Sequence, residues 1–293
     1  MIRNCFNYVG SKDRIFPAID KNLNKDKKYF VDLFCGSGVV GINEVNNYQE
    51  VSLCDACWQL AETLRYFKEN EFSNIIRSID NTVSKFELSK TNKEGYNKLR
   101  DFYNNISNTP DTFNPVLFYC LLTHSFNYNI HINSNGGFSV PFGANKSYLN
   151  SSLRNKLQVF QNELHKNKDK IKVIKTDFEN CVYKISEGGT LQDTMFYCDP
   201  PYLSSDSAYG RIYYLGKWDA IKEKKLYSTL DFINENGGSF LLSNVIENNG
   251  KTNEILDKWA QKYTLIEVSS SFENCNYQRK NLGKTKEVLI RNY

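Results

Sequence analysis

Lys28 to Cys35 reads Lys-Tyr-Phe-Val-Asp-Leu-Phe-Cys, a strand pattern that runs straight into Gly36-Ser37-Gly38-Val39-Val40-Gly41 and then a helix-like stretch from Val39 to Tyr48. A strand feeding a helix through G-x-G-x-x-G belongs in a parallel α/β sheet. The glycines allow a tight turn, close approach of a nucleotide-bearing ligand, and close packing of helix on strand. A second short strand, Glu50 to Cys54, leads to Asp55, about twenty residues past the turn, where an acid can hold ribose hydroxyls. Taken alone, this pattern suits a nicotinamide dinucleotide as well as S-adenosylmethionine. Asp32, at the end of the first strand, tilts it toward the latter, because a carboxylate there suits a ligand's ammonium group and sits awkwardly beside a pyrophosphate.

The second detail lies far downstream. Met195-Phe196-Tyr197-Cys198 reads as a short buried strand and ends in Asp199-Pro200-Pro201-Tyr202. Two successive prolines lack N–H donors and fix φ, so the chain leaves the sheet rigidly. That aims a carboxylate (Asp199), a free carbonyl (Pro200) and an aromatic ring (Tyr202) into one small space. Such a trio accepts two hydrogen bonds from a planar amino group while the ring stacks on its flat face, and an exocyclic amine of a nucleobase is the natural guest. Dinucleotide oxidoreductases have no need of this motif. Near the start, Asn7-Tyr8-Val9-Gly10-Ser11-Lys12 precedes a helical pattern with Ile15 and Ile19 on one face. Its aromatic and its lysine flank a glycine turn that can close over an adenosine and a carboxylate, although a surface turn reads the same way.

In this order the three motifs resemble those of the Dam-like (alpha-group) adenine-specific DNA methyltransferases. Gly137-Phe138-Ser139-Val140-Pro141-Phe142-Gly143, preceded by Phe126-Asn127, looks like the hairpin of that family's target-recognition region. Lys286 to Ile290 resembles its closing strand, so the resemblance runs from about Asn7 to Ile290. It implies catalytic roles for Asp199, Pro200, Pro201 and Tyr202. It also implies S-adenosylmethionine contacts at Tyr8, Lys12, Asp32, Phe34, Gly36, Ser37, Gly38, Asp55, Asp177, Phe178 and Asp199. No metal is expected, because a sulfonium methyl is already activated. The target, double-stranded DNA, must surrender its adenine from the stack, at a cost of a few kcal/mol. Asn127, Tyr128, Asn129, Ile130, His131, Asn133 and Pro141 are the expected DNA contacts of the hairpin, with Tyr128 or Ile130 filling the gap left by the flipped base. At one point the sequence departs from the family: where GATC-reading members carry an arginine, this chain has His131. Arginine reads guanine O6 and N7 bidentately and histidine does not. The activity is therefore expected to hold while the recognition sequence differs.

Formal net charge is +4, a mild basic excess that tolerates nucleic acid without requiring it. Arg279 and Lys280, in the polar stretch from Ser269 to Gly283, are expected phosphate contacts. The sequence shows no long apolar span and no charged-then-apolar leader, so a cytoplasmic protein without membrane attachment is expected. The eight cysteines are then thiols. The one C-x-x-C, Cys54 to Cys57, has neither a second pair nor a nearby histidine, and structural thiols are the expected reading.

Roughly 160 residues separate the glycine turn from Asp199, more than two or three β–α units need and too many for a structureless connection. The surplus is expected to be an inserted, mainly helical target-recognition subdomain. The expected organisation is a catalytic methyltransferase domain from 1–57 and 166–293 and a recognition insert at 58–165. The fold class is α/β, a Rossmann-like methyltransferase sheet. Expected partners are duplex DNA and a cognate restriction endonuclease, with the protein a monomer or weak dimer. Three other readings stay open: a methyltransferase of this scaffold acting on RNA or protein, a nicotinamide oxidoreductase, and an inactive DNA-binding module.

Overall fold

The computed structural model describes residues 1–7, 10–106, 109–203, 212–248, 250–268 and 285–293. Tyr8, Arg279 and Lys280 lie outside the described residues, as does most of the segment between Leu203 and Trp218.

The expected strand–turn–helix is present as β1 (Tyr29–Asp32) and α2 (Val39–Glu44), preceded by α1 (Phe16–Lys21) and followed by β2 (Glu50–Asp55). Gly41 lies where α2 comes closest to β2. A Cβ there would lie 2.3 Å from Leu53 Cδ2 and 3.2 Å from Val51 Cγ1, so any larger residue would have to push Leu53 aside for α2 to settle on β2. The chain returns to the sheet at β3 (Ile171–Lys175), then β4 (Thr194–Cys198), β5 (Ser239–Asn248), β6 (Lys251–Thr252), β7 (Thr264–Val268) and β8 (Thr285–Arg291). Spatial order is β3-β2-β1-β4-β5-β8-β7, with β6 paired to β5. The first five of these strands are mutually parallel, and β8 runs antiparallel to both β5 and β7. Each residue of β4 is buried, as expected of a parallel strand covered on both faces. Helices α8 (Phe178–Glu187), α9 (Ala220–Glu235) and α10 (Glu254–Ala260) follow β3, β4 and β5–β6.

From β1 the chain proceeds outward to β2 and β3 on one side, while β4 and β5 lie on the other. Where the winding reverses, the carboxyl ends of two parallel strands part and leave a crevice. Asp32 stands opposite Tyr197 across that point, which puts Asp199 two residues beyond it.

Between β2 and β3 lie α3 (Trp58–Glu69), α4 (Phe72–Lys85), α5 (Lys93–Ile106), α6 (Pro115–His124) and α7 (Ser151–Lys166). Every residue from Val116 to His124 is buried, so α6 is apolar on all sides and forms the centre of this group. Asn114 caps it by accepting from the Val116 and Leu117 N–H groups, and Pro115 occupies the first turn, where its missing N–H costs nothing. Helix α3 packs on β2 and β3 and also on α6 and α7, so one apolar core runs from the sheet into the helical group. Among the described residues, no helix is long and apolar enough to cross a membrane.

Candidate active site

Asp199 follows β4, and the buried Pro200 and Pro201 turn the chain away from the ladder. Its carboxylate is gripped on both oxygens. Oδ2 lies 2.6 Å from Lys12 Nζ, while Oδ1 accepts from Tyr202 OH at 3.1 Å and Ser243 Oγ at 3.0 Å. Ser243, on β5, in turn meets the Tyr197 hydroxyl at 3.0 Å. Lys12 is 8 % exposed; it also donates to the Gly10 carbonyl and lies 5.4 Å from the Tyr202 ring centroid. Burial works to lower its pKa, but neighbouring Asp199 outweighs burial and holds it above the ordinary lysine value, so Lys12 is an ammonium. Glu287, on β8, adds a second acid. Burial raises its carboxyl, and Lys12 pulls it back down.

Beyond Pro201 opens an apolar cavity of about 120 Å³ lined in part by Phe34, Asp55, Asp177, Phe178, Pro201 and Trp218. The Phe34 and Phe178 rings lie 5.5 Å apart at 30°, and Trp218 stands nearly edge-on to Phe34 at 5.8 Å and 81°. Asp55 closes one end. Its two oxygens accept from Gly36 N and Cys57 N, each at 2.7 Å, which locks the glycine turn to the end of β2. Gly36 and Gly38 hold φ of +51° and +74°, a backbone that a side chain would strain. Asp177 caps α8 by accepting from Asn180 N at 2.9 Å, which aims Phe178 into the cavity wall. Asp32 is buried below the turn with Oδ1 unpartnered among the described residues; burial, then Asp199 and Asp55, push its carboxyl well above the usual range.

This donor set fits an adenosine-bearing cationic cofactor: flat apolar walls for a base, a buried acid for ribose hydroxyls, and an unpartnered buried carboxylate oxygen for a positive group. Of the expected cofactor residues, Asp32, Phe34, Gly36, Ser37, Gly38, Asp55, Asp177 and Phe178 gather around this crevice, whereas Lys12 sits on Asp199. Burial pushes the Asp55 carboxyl up to about 6, against the pull of the Cys57 and Gly36 N–H groups. A raised acid takes up its proton as pH falls through that value and is then no longer an anionic acceptor. Affinity for S-adenosylhomocysteine is therefore expected to weaken between pH 7.5 and pH 5, as read by calorimetry. The pH dependence should flatten in Asp55→Asn.

The segment expected to read the target is held by single bridges rather than paired strands: Ser125 to Phe142 and Ile132 to Phe138. Asn104 clamps it from α5, donating to the Phe138 carbonyl and accepting from the Phe138 N–H. Asn133 Oδ1 caps the tip by accepting from the Asn135 and Gly137 N–H groups, each at 3.0 Å. Asn127 and Pro141 are exposed, and Tyr128, Asn129 and His131 are half-buried. Ile130 corrects the expectation. It is fully buried in the helical core, so it serves packing and does not face a duplex. The C-x-x-C is likewise split: Cys54 Sγ lies 2.7 Å from Cys181 Sγ on α8, while Cys57 lies beside Gln59.

Sequence reasoning missed Ser243, Tyr197, Glu287 and Trp218. Only the Ser243-Asn244 polar pair, in the middle of the otherwise apolar run from Phe240 to Ile246, carried a local signal. The others reach the site through strand pairing and the path of a loop.

The family model described as D12 class N6 adenine-specific DNA methyltransferase matches residues 8–273. The type II methyltransferase M.FokI of Planomicrobium okeanokoites is 32% identical over 293 residues, covering 100% of this chain and 43% of that protein. The modification methylase StsI of Streptococcus sanguinis is 31% identical over 303 residues, covering 100% and 43%. The type II methyltransferase M.MjaIII of Methanocaldococcus jannaschii is 26% identical over 307 residues, covering 98% of this chain and 97% of its own length. The chain thus spans under half the length of the first two relatives.

Proposed function

The chain belongs to the D12 class N6 adenine-specific DNA methyltransferases, and on that premise we propose that it transfers a methyl group from S-adenosylmethionine to the 6-amino nitrogen of a flipped adenine in duplex DNA. The carrying observation is the junction at the ends of β1 and β4, where Asp199, its proline turn and Tyr202 adjoin the apolar cavity that ends at Asp55. When bound, S-adenosylmethionine supplies a methyl group on a sulfonium centre.

The chain's own residues do the rest. Adenine's amino nitrogen is a poor nucleophile, because its lone pair is delocalised into the ring. Hydrogen bonds from the amino group to the Asp199 carboxylate and the Pro200 carbonyl favour a more tetrahedral nitrogen with that pair freed. Asp199 Oδ1 and Oδ2 are taken by Tyr202, Ser243 and Lys12, so the amine enters by displacing the Tyr202 hydroxyl and the Lys12 ammonium. Released from Asp199, the Tyr202 ring can stack on the base, while Ser243 keeps the carboxylate in place. Much of the acceleration is orientation and preorganised electrostatics, worth up to roughly 7–11 kcal/mol in the best intramolecular cases.

Asn127, Tyr128, Asn129, His131, Asn133 and Pro141 supply the proposed groove contacts. Tyr128, at φ +54° in a conformation that costs a bulky residue energy, is our proposed candidate for the gap beside the flipped base. Arg279 and Lys280 supply proposed phosphate contacts. The names of the relatives as type II and modification methylases support a partnership with a restriction endonuclease. Because His131 stands where an arginine is expected, the site should differ from GATC in at least one position, and Asn129 suits an adenine edge. Methylation-aware sequencing of DNA from an expressing strain tests both parts. N6-methyladenine in a short motif other than GATC is expected. Modification confined to GATC would refute the recognition reading, and unmodified DNA would refute the activity.

A further inference from the structure

Glu223 is a fully buried carboxylate that the methyl-transfer chemistry does not use. It sits in the first turn of α9, and four neutral donors converge on it. Trp218 Nε1 donates to Oε2 at 2.5 Å; the Tyr227 hydroxyl, Asn253 Nδ2 at 3.0 Å and Asn244 Nδ2 at 3.4 Å all reach Oε1. Burying an anion is costly unless its hydrogen-bonding capacity is met, so an arrangement this complete fixes the side chains that complete it.

Of the four, Trp218 leads back to the site. It is 9 % exposed and lines the cavity shared by Phe34, Asp55 and Phe178. Its ring is nearly perpendicular to Phe34 and tilted 57° to Phe178 at 6.1 Å. It lies on an irregular stretch just before α9, not on a strand or helix, so regular backbone pairing does not set its orientation. Gly216, two residues earlier, has φ +66° and lines the same cavity, and Lys222 Nζ holds the Leu215 carbonyl at 2.5 Å. The loop is thus tied at its base by two side chains of α9, one of which grips the indole.

We propose that Glu223 is a positioning residue for the cofactor: by holding the Trp218 N–H it fixes the indole as the third aromatic wall of the adenosine pocket, with Phe34 and Phe178. This rests on the reading of that cavity as the cofactor site. The indole N–H faces inward to Glu223, which leaves the ring's carbon surface for the cavity. Rotation about the Trp218 side chain would collapse or open that wall.

The test is binding of S-adenosylhomocysteine to the full chain, followed by calorimetry and by quenching of tryptophan fluorescence. Wild-type protein is expected to bind with quenching. Trp218→Phe keeps a ring but loses the N–H; it should weaken binding by about tenfold and lose most of the quenching. Glu223→Gln presents an amide donor to a ring of donors and should also weaken binding about tenfold, with duplex-DNA affinity in the absence of cofactor unchanged. Trp218→Phe does not depend on Glu223→Gln folding, so it stands as the second arm. Cofactor affinity within twofold of wild type in Trp218→Phe, or in folded Glu223→Gln, would overturn the proposal. Equal losses of cofactor and DNA affinity in Glu223→Gln would reduce Glu223 to a general structural role and overturn it as well. Wild-type protein without affinity for S-adenosylhomocysteine would overturn the adenosine pocket itself, and the role of Glu223 with it.

Discussion

Asp199→Ala is expected to lower turnover by at least two decades while leaving duplex-DNA affinity within a few-fold of wild type. In the proposed mechanism the carboxylate organises the amine and makes no phosphate contact, and loss of one transition-state hydrogen-bonding group typically costs about two to three decades. The same substitution has a second effect that must be separated from the first. It strips the counterion from Lys12, which is 8 % exposed and 2.6 Å from the lost oxygen. Removing one partner of a buried pair costs roughly 3–5 kcal/mol, whereas replacing both by apolar groups of similar size is often neutral. Asp199→Ala should therefore melt earlier than wild type, and Lys12→Met with Asp199→Leu should regain most of that stability with no recovery of turnover. Melting temperatures and single-turnover methyl transfer on the same preparations distinguish the two. A tenth of wild-type turnover in any folded variant lacking the Asp199 carboxylate would sink its assigned role.

What could be read from the sequence followed chain continuity. The glycine turn, Asp55 and the Asp-Pro-Pro-Tyr stretch each join a strand, a turn and a reactive side chain within a few residues, and each stands where the pattern put it. Glycine and proline restrict the backbone locally, so their meaning survives without knowledge of the rest of the fold. The partners of those residues were not legible in this way. A lysine after a glycine turn suits a ligand's carboxylate, but the carboxylate that Lys12 meets within the fold is Asp199, 187 positions away in the numbering and adjacent only once the sheet is wound. Ser243 reaches Asp199 because β5 lies beside β4, a relation set by strand order. Glu287 looked like one charge in a closing strand, yet pairing of β8 with β5 brings it to the edge of the site. Ile130 failed for another reason. An apolar residue in a polar loop reads equally well as a wedge for DNA or a plug for the core, and only the fold shows which face it turns to.

Asp55→Ala is expected to weaken S-adenosylhomocysteine binding by roughly one to two decades, since a hydrogen bond to a charged acceptor contributes about 1.5–3 kcal/mol. Two effects add. The ribose loses its anionic acceptor, and the Gly36 and Cys57 N–H groups, each 2.7 Å from the carboxylate, lose the oxygens that hold them. Orphaned inside a buried turn, those donors draw the glycine loop out of the geometry that Gly36 and Gly38 adopt at φ +51° and +74°. Asp55→Asn separates the contributions. Its amide oxygen can still accept from one of the two N–H groups, but its nitrogen cannot replace the second acceptor, so its loss should fall between those of wild type and Asp55→Ala. Neither change touches the proposed recognition segment, which is clamped from α5 by Asn104. The methylated motif should therefore be identical in all three proteins, with the rate restored in part by raising the cofactor concentration. Calorimetry reads the affinity and sequencing of the product DNA reads the motif. Unchanged affinity in Asp55→Ala would make Asp55 a turn-holding acid alone, and an altered motif would mean that the cofactor pocket and the target reader are not the separate elements their positions imply.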